Sequence, residues 1–113
     1  MSENHTMTAR LQAFVESHPE GWNHEEWLGL LADLSATGID VSEPHSLGEQ
    51  LERARLTWEL RRSEVAGLGP KRVEALARRF GTLGRLRFAS IDEVAQVPSM
   101  NRPLAEKLLS ALN

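Results

Sequence analysis

The run Val65-Ala66-Gly67-Leu68-Gly69-Pro70 lies between two segments of helical periodicity and cannot itself be helical. Two glycines two apart weaken a helix interior through backbone entropy, and the proline suits the first position of a new helix, where no amide partner is lost. A sharp turn is therefore expected between a helix ending near Ser63 and one opening at Pro70. Beyond it Val73, Leu76, Ala77 and Phe80 fall on one helical face, and Gly81 is expected to close that helix.

The arrangement returns at an offset of 32 residues, where Val65 aligns with Val97, Leu68 with Met100, Val73 with Ala105 and Leu76 with Leu108. Each copy reads as helix, tight apolar turn, helix, with Leu68 or Met100 turning inward at the tip. Leu83 and Leu86 suggest a short connecting helix. Ser90 with Glu93 forms a capping box for another, whose inward residues are Ile91, Val94 and Val97. After Pro98-Ser99-Met100-Asn101 a last helix carries Leu104, Leu108, Ala111 and Leu112 on one side.

Upstream, Met7, Leu11, Phe14 and Val15 mark a first helix that stops at His18-Pro19-Glu20-Gly21. Asn23 and Glu26 form a capping box for a second, with the stripe Trp27, Leu30, Leu31 and Leu34 ending at Gly38. Ile39 to His45 has no period and reads as a linker. Ser46 with Glu49 then caps a third helix, with Leu47, Leu51, Ala54 and Trp58 on one face. Residues 1–45 are thus expected to form an acidic helical N-terminal lobe, and residues 46–113 a tandem domain. Trp27 and Trp58 read as core, and Trp22 as a staple or an exposed contact.

Composition agrees with an all-α chain: 113 residues suffice for one small globular domain with an appended lobe, and aromatic residues are only 5%, with no tyrosine. The absence of cysteine excludes disulfides, thiolate metal sites and cysteine nucleophiles, and a reducing, cytoplasmic setting is expected. No apolar stretch approaches the roughly 20 residues of a membrane span, and MSENHT lacks the features of a signal peptide. Membrane partners are not expected.

The formal net charge of −3 divides unevenly, as −7 over residues 1–45 and +4 over residues 46–113, with eight bases between Arg61 and Arg87. Such a cluster is either a solvated face or the footprint of a nucleic-acid surface.

Val65-Ala66-Gly67-Leu68-Gly69-Pro70-Lys71-Arg72 resembles the hairpin of the helix-hairpin-helix family, and Val73 to Ala111 continues as a tandem pair of such motifs does. The chain is similar in particular to the C-terminal tandem helix-hairpin-helix domain of the UvrC-like excision-repair endonucleases. Phe80-Gly81, Ser90-Ile91-Asp92-Glu93 and Leu104-Ala105-Glu106-Lys107 share in the likeness. It is expected to cover residues 46–113 and not the first 45, and to include neither catalytic region of those endonucleases. The resemblance implies duplex or junction DNA held through backbone phosphates across the minor groove.

Physical chemistry supports that implication. A turn leading into a helix leaves amides without intrahelical partners, and the helix dipole adds positive potential at the same end, so an anion is favoured there. Amides near Gly67, Leu68, Gly69, Lys71 and Arg72 are the expected cradle, with the two basic side chains adding charge. Lys71 and Arg72 stand in a first turn, where a cation opposes the dipole unless an anion binds. Arg78 and Arg79 stand in a last turn, where they need no ligand. The second turn departs from the family at Ser99, where glycine is usual, and at Pro103, where a basic residue with an amide often stands. Asn101 is expected to tolerate a left-handed backbone there. Arg102 and Lys107 remain to hold a second phosphate, so a supporting role is expected.

Other chemistries find less support. Gly67 to Lys71 lacks the spacing and the preceding strand of a phosphate-binding NTPase loop. His24-Glu25-Glu26-Trp27 has no second histidine one turn on, and the histidines form no zinc set. No carboxylate pair marks a nuclease centre, and no cofactor is expected. The expected function is a non-catalytic, largely sequence-independent DNA-binding module in repair or processing, with a repair or processing protein as second partner. The alternative is a protein-interaction or dimerisation module on the same fold. The acidic lobe is also expected to pack on the third helix through Trp27 or Trp58 and to screen part of the basic face.

Overall fold

Local signals set most helix ends in the computed structural model, which describes residues 3–113, with side chains from Met7 onward. The described residues form α1 (Glu3–Ser17), α2 (His24–Ala36), α3 (Pro44–Arg62), α4 (Pro70–Phe80), α5 (Leu83–Arg87), α6 (Ile91–Ala95) and α7 (Arg102–Leu112), with no strand among them. Both capping boxes expected at Asn23/Glu26 and Ser90/Glu93 are formed, so reciprocal hydrogen bonds open α2 and α6. At the end of α2 the Gly38 amide bonds the Ser35 carbonyl and the Ile39 amide bonds the Leu34 carbonyl. Left-handed Gly38 thereby closes the helix and returns Ile39 to the core beside Leu34.

The start of α3 differs from expectation. It opens at Pro44 with Glu43 as an N-cap lacking a side-chain bond, so Ser46 lies inside the helix. Proline's fixed φ and missing amide suit the first helical position, and this outweighs the Ser46/Glu49 pattern.

Buried residues form two clusters. The first gathers Leu11, Phe14, Val15, Leu30, Leu34 and Ile39 with Leu47 and Leu51 of α3; the second gathers the apolar residues of α4 to α7 with Leu56 and Leu60 of α3. The single face expected for α3 is therefore half of its burial. Ala54 and Trp58 face the first cluster from partly buried positions, while Leu56 and Leu60, absent from that stripe, seal the second. Trp27 and Trp58 are half-buried at the edge of the first cluster rather than inside it. Trp22 turns inward, with its ring edge-on to Phe14 at 5.3 Å between centroids.

In α7 the buried set is Leu104, Ala105, Leu108 and Leu112, and Ala111 is exposed, because Ala105 completes the face that the repeat with Val73 already implied. No helix among the described residues is long and apolar enough to cross a membrane.

Candidate nucleic-acid interface

Two turns of one design project from the tandem. In the first, Gly67 is left-handed at φ +90°, the Leu68 amide bonds the Val65 carbonyl at 3.1 Å, and Gly69 is the extended N-cap of α4. In the second, Ser99 is left-handed at φ +71°, the Met100 amide bonds the Val97 carbonyl at 2.9 Å, and Asn101 is the extended N-cap of α7. The repeat offset thus survives in the backbone itself. It also corrects the expected role of Asn101, whose φ of −141° is extended, while Ser99 takes the left-handed place that corresponds to Gly67. A capping side chain needs an extended backbone to reach back to the helix, and Asn101 fills that role.

The two N-termini differ in their donors. At α4 the glycine cap has no side chain to offer, and the amides of Gly67, Gly69, Lys71 and Arg72 meet no acceptor among the described residues. At α7 the Asn101 Oδ1 accepts from the Leu104 amide at 2.9 Å, and Pro103 has no amide. The first terminus is an open set of anion donors. The second keeps the Ser99, Asn101 and Arg102 amides open but satisfies that of Leu104 from within and lacks one at Pro103.

Side chains sharpen the contrast. Lys71 is exposed and meets no acid among the described residues, and Lys107 of α7 is likewise exposed. Arg102 pairs with Asp92 and lies 3.6 Å from Glu106, so its charge is locally balanced. Arg72 is half-buried, with Nε donating to the Ser99 carbonyl at 2.8 Å and Nη1 to the Gly67 carbonyl at 2.6 Å. It spans the two turns, a placement that a reading of helix ends alone does not supply. Leu68 and Met100, at the tips, pack inward against the second cluster.

The remaining arginines are mostly engaged within the chain. Arg78 pairs with Glu74 at 2.6 Å, Arg79 stacks over Phe80, Arg62 over Trp58, and Arg87 Nε donates to the Leu112 carbonyl. Among the described residues no group of three or more His, Asp or Glu side chains is placed to hold a metal ion.

Residues 60–113 match the family model described as SAM-like helix-hairpin-helix tandem. Among curated relatives, the UvrABC system protein C of Symbiobacterium thermophilum is 47% identical over 58 residues, covering 51% of this chain and 9% of that protein. That of Proteus mirabilis is 38% identical over 100 residues, covering 83% of this chain and 16% of its own length. That of Sodalis glossinidius is 35% identical over 105 residues, covering 88% and 16%. The chain therefore spans under a fifth of the length of these relatives. The last two alignments take in more of it than residues 46–113 can supply, so the likeness extends into the N-terminal lobe, contrary to the expected limit at residue 45. No solved structure gives a significant match.

Proposed function

We infer, for a chain whose residues 60–113 are a SAM-like helix-hairpin-helix tandem, that it is a DNA-binding module of excision repair which grips backbone phosphate at the first hairpin and reads no base edge. The observation that carries this reading is the set of open amides at Gly67, Gly69, Lys71 and Arg72 beside the unpaired Lys71 ammonium. A helix N-terminus in that state favours an anion through both its N–H groups and its dipole. A phosphate there also removes the conflict between Lys71 and the dipole. The second hairpin, with Ser99, Asn101, Arg102 and Lys107, is the supporting contact.

In this reading the chain supplies grip and a partner supplies chemistry. Several of its acids have structural roles: Asp92 and Glu106 balance Arg102, and Glu26 and Glu93 complete capping boxes. The likeness to the UvrABC system proteins C supports a role in excision repair, on duplex or junction DNA. Metal-dependent cleavage of DNA by the purified chain would contradict the non-catalytic part of the proposal.

The test is fluorescence anisotropy with labelled single-stranded, duplex and junction DNA at several salt concentrations. With two to four phosphates engaged, the log–log salt slope is expected to be about −2 to −4. Lys71→Glu should abolish low-salt binding, whereas a slope near zero, or binding untouched by that substitution, overturns the phosphate grip.

A second reading has one observation in its favour. Phe88, which follows the connecting helix α5, is 92% exposed, and Arg79, Arg85 and Ala89 line the same shallow recess. Chain direction places it away from both hairpins, since α4 runs from the first hairpin toward it and α6 from it toward the second. An aromatic knob flanked by arginines suits protein docking. A complex or dimer that survives Lys71→Glu but is lost in Phe88→Ala would identify that role.

A further inference from the structure

We propose that Arg72, a residue of the first hairpin, is the positioning group that holds the second hairpin in shape and couples the two turns. Ser99 is one of only two non-glycine residues with positive φ among those described, and a side chain disfavours that region. The bond that closes its turn, from Met100 to Val97, has a direct counterpart in Leu68 to Val65, where glycine occupies the left-handed place. That bond therefore does not explain why a serine can replace glycine. Its own copy carries Leu104, which has no side-chain donor, at the position equivalent to Arg72, so the charged Nε–H on the Ser99 carbonyl at 2.8 Å is supplied by Arg72 from the other hairpin.

The geometry follows the internal repeat. Gly67 and Ser99 are equivalent positions, and one guanidinium bonds both carbonyls, with Nη1 on Gly67 at 2.6 Å and Nε on Ser99. The residue equivalent to Arg72 in the second copy is Leu104. It reaches back the other way, its Cδ1 lying 3.8 Å from where a Cβ on Gly67 would stand. The hairpins thus exchange one side chain each across their interface, a polar clamp in one direction and an apolar contact in the other. A planar guanidinium presents donors in a fixed fork, whereas a lysine ammonium at the end of a flexible stem does not reproduce that spacing. The spacing of the two turns, and hence of any phosphates they hold, is set by this clamp. That last consequence rests on the phosphate-gripping reading; the clamp itself does not.

The experiment uses the full chain and the variants Arg72→Gln, Arg72→Lys, Ser99→Gly and Arg72→Gln/Ser99→Gly. In the DNA-free protein, Arg72→Gln is expected to shift the Met100 and Asn101 amide resonances and to lower Tm, with Arg72→Lys in between. Ser99→Gly, which removes the Cβ that disfavours the left-handed backbone, should recover part of that loss, so that the two substitutions are not additive. On duplex DNA, Arg72→Gln should weaken binding with the salt slope nearly unchanged, whereas loss of a phosphate contact lowers the slope by about 0.9. Unmoved Met100 and Asn101 resonances, additive Tm losses and a shallower slope would together make Arg72 a phosphate ligand and overturn the proposal. If the unsubstituted chain binds no DNA, the phosphate-gripping reading fails, while the resonances and the Tm cycle still decide the clamp.

Discussion

Gly67 and Ser99 stand at equivalent points of successive turns and meet the same backbone demand with different means. Glycine accepts φ +90° without a Cβ in the way, and the nearest atom to an added Cβ, at 3.8 Å, leaves room for a methyl group. Gly67→Ala therefore tests conformation alone and is expected to lower stability by about 1–2 kcal/mol in urea denaturation. At the neighbouring caps the difference is functional. Asn101 satisfies the Leu104 amide that its counterpart Gly69 leaves open at Arg72. Asn101→Gly should cost only a few tenths of a kcal/mol, measured by the same denaturation, and should raise affinity for duplex DNA by freeing the Leu104 amide in the second cradle. Unchanged affinity would place that terminus off the DNA. Glycine at 67 and 69 was legible as a turn from spacing alone. The clamp by Arg72 and the balancing of Arg102 were not, because their acceptors lie 27 and 10 residues away in sequence.

Among the elements, α3 shows most clearly where periodicity misleads. Its apolar residues point to two cores, so Leu47, Leu51, Ala54 and Trp58 form one recognisable stripe while Leu56 and Leu60 fall outside it. A helix buried on two sides has no single polar face by which its inward residues can be read. The helices with one buried face, α4 above all, were legible nearly residue for residue. The loop before α3 carries its own ordering device: the Ser42 amide donates to Asp40 Oδ1 at 2.9 Å. That bond first, and the Ser42 hydroxyl second, hold the Asp40 carboxyl below its usual value. A depressed carboxyl contributes stability that is complete above its unfolded-state pKa and is lost as pH falls through the lowered folded value. Ser42→Ala should raise the Asp40 pKa toward the ordinary value in an NMR titration, with the amide bond keeping part of the shift.

Across the whole molecule, the two clusters share α3, so the acidic lobe is structurally continuous with the tandem. A Cβ built on Gly48 would lie 3.9 Å from Trp27, and Trp58 borders the same cluster, so both tryptophans join the lobe to α3. Truncation at residue 45 would uncover Leu47 and Leu51, and screening of the basic face is better tested in the intact chain. Replacing Glu16, Glu20 and Glu25 by glutamine should tighten DNA binding at low salt. The gain should disappear near 1 M salt, where the Debye length is about 3 Å. A gain that persists there would point to altered packing instead of field strength.

The sequence by itself determined the all-α class, the turn at Gly67 to Pro70, the repeat and the caps at Asn23 and Ser90. Each of these depends on residues within a few positions of one another, or on a period that repeats them. Only the tertiary structure decided that α3 serves two cores, that Asn101 caps while Ser99 turns left-handed, and that Arg72 joins the hairpins. Those outcomes depend on which distant carbonyl, carboxylate or apolar face comes within reach once the helices pack, and local spacing carries no record of that.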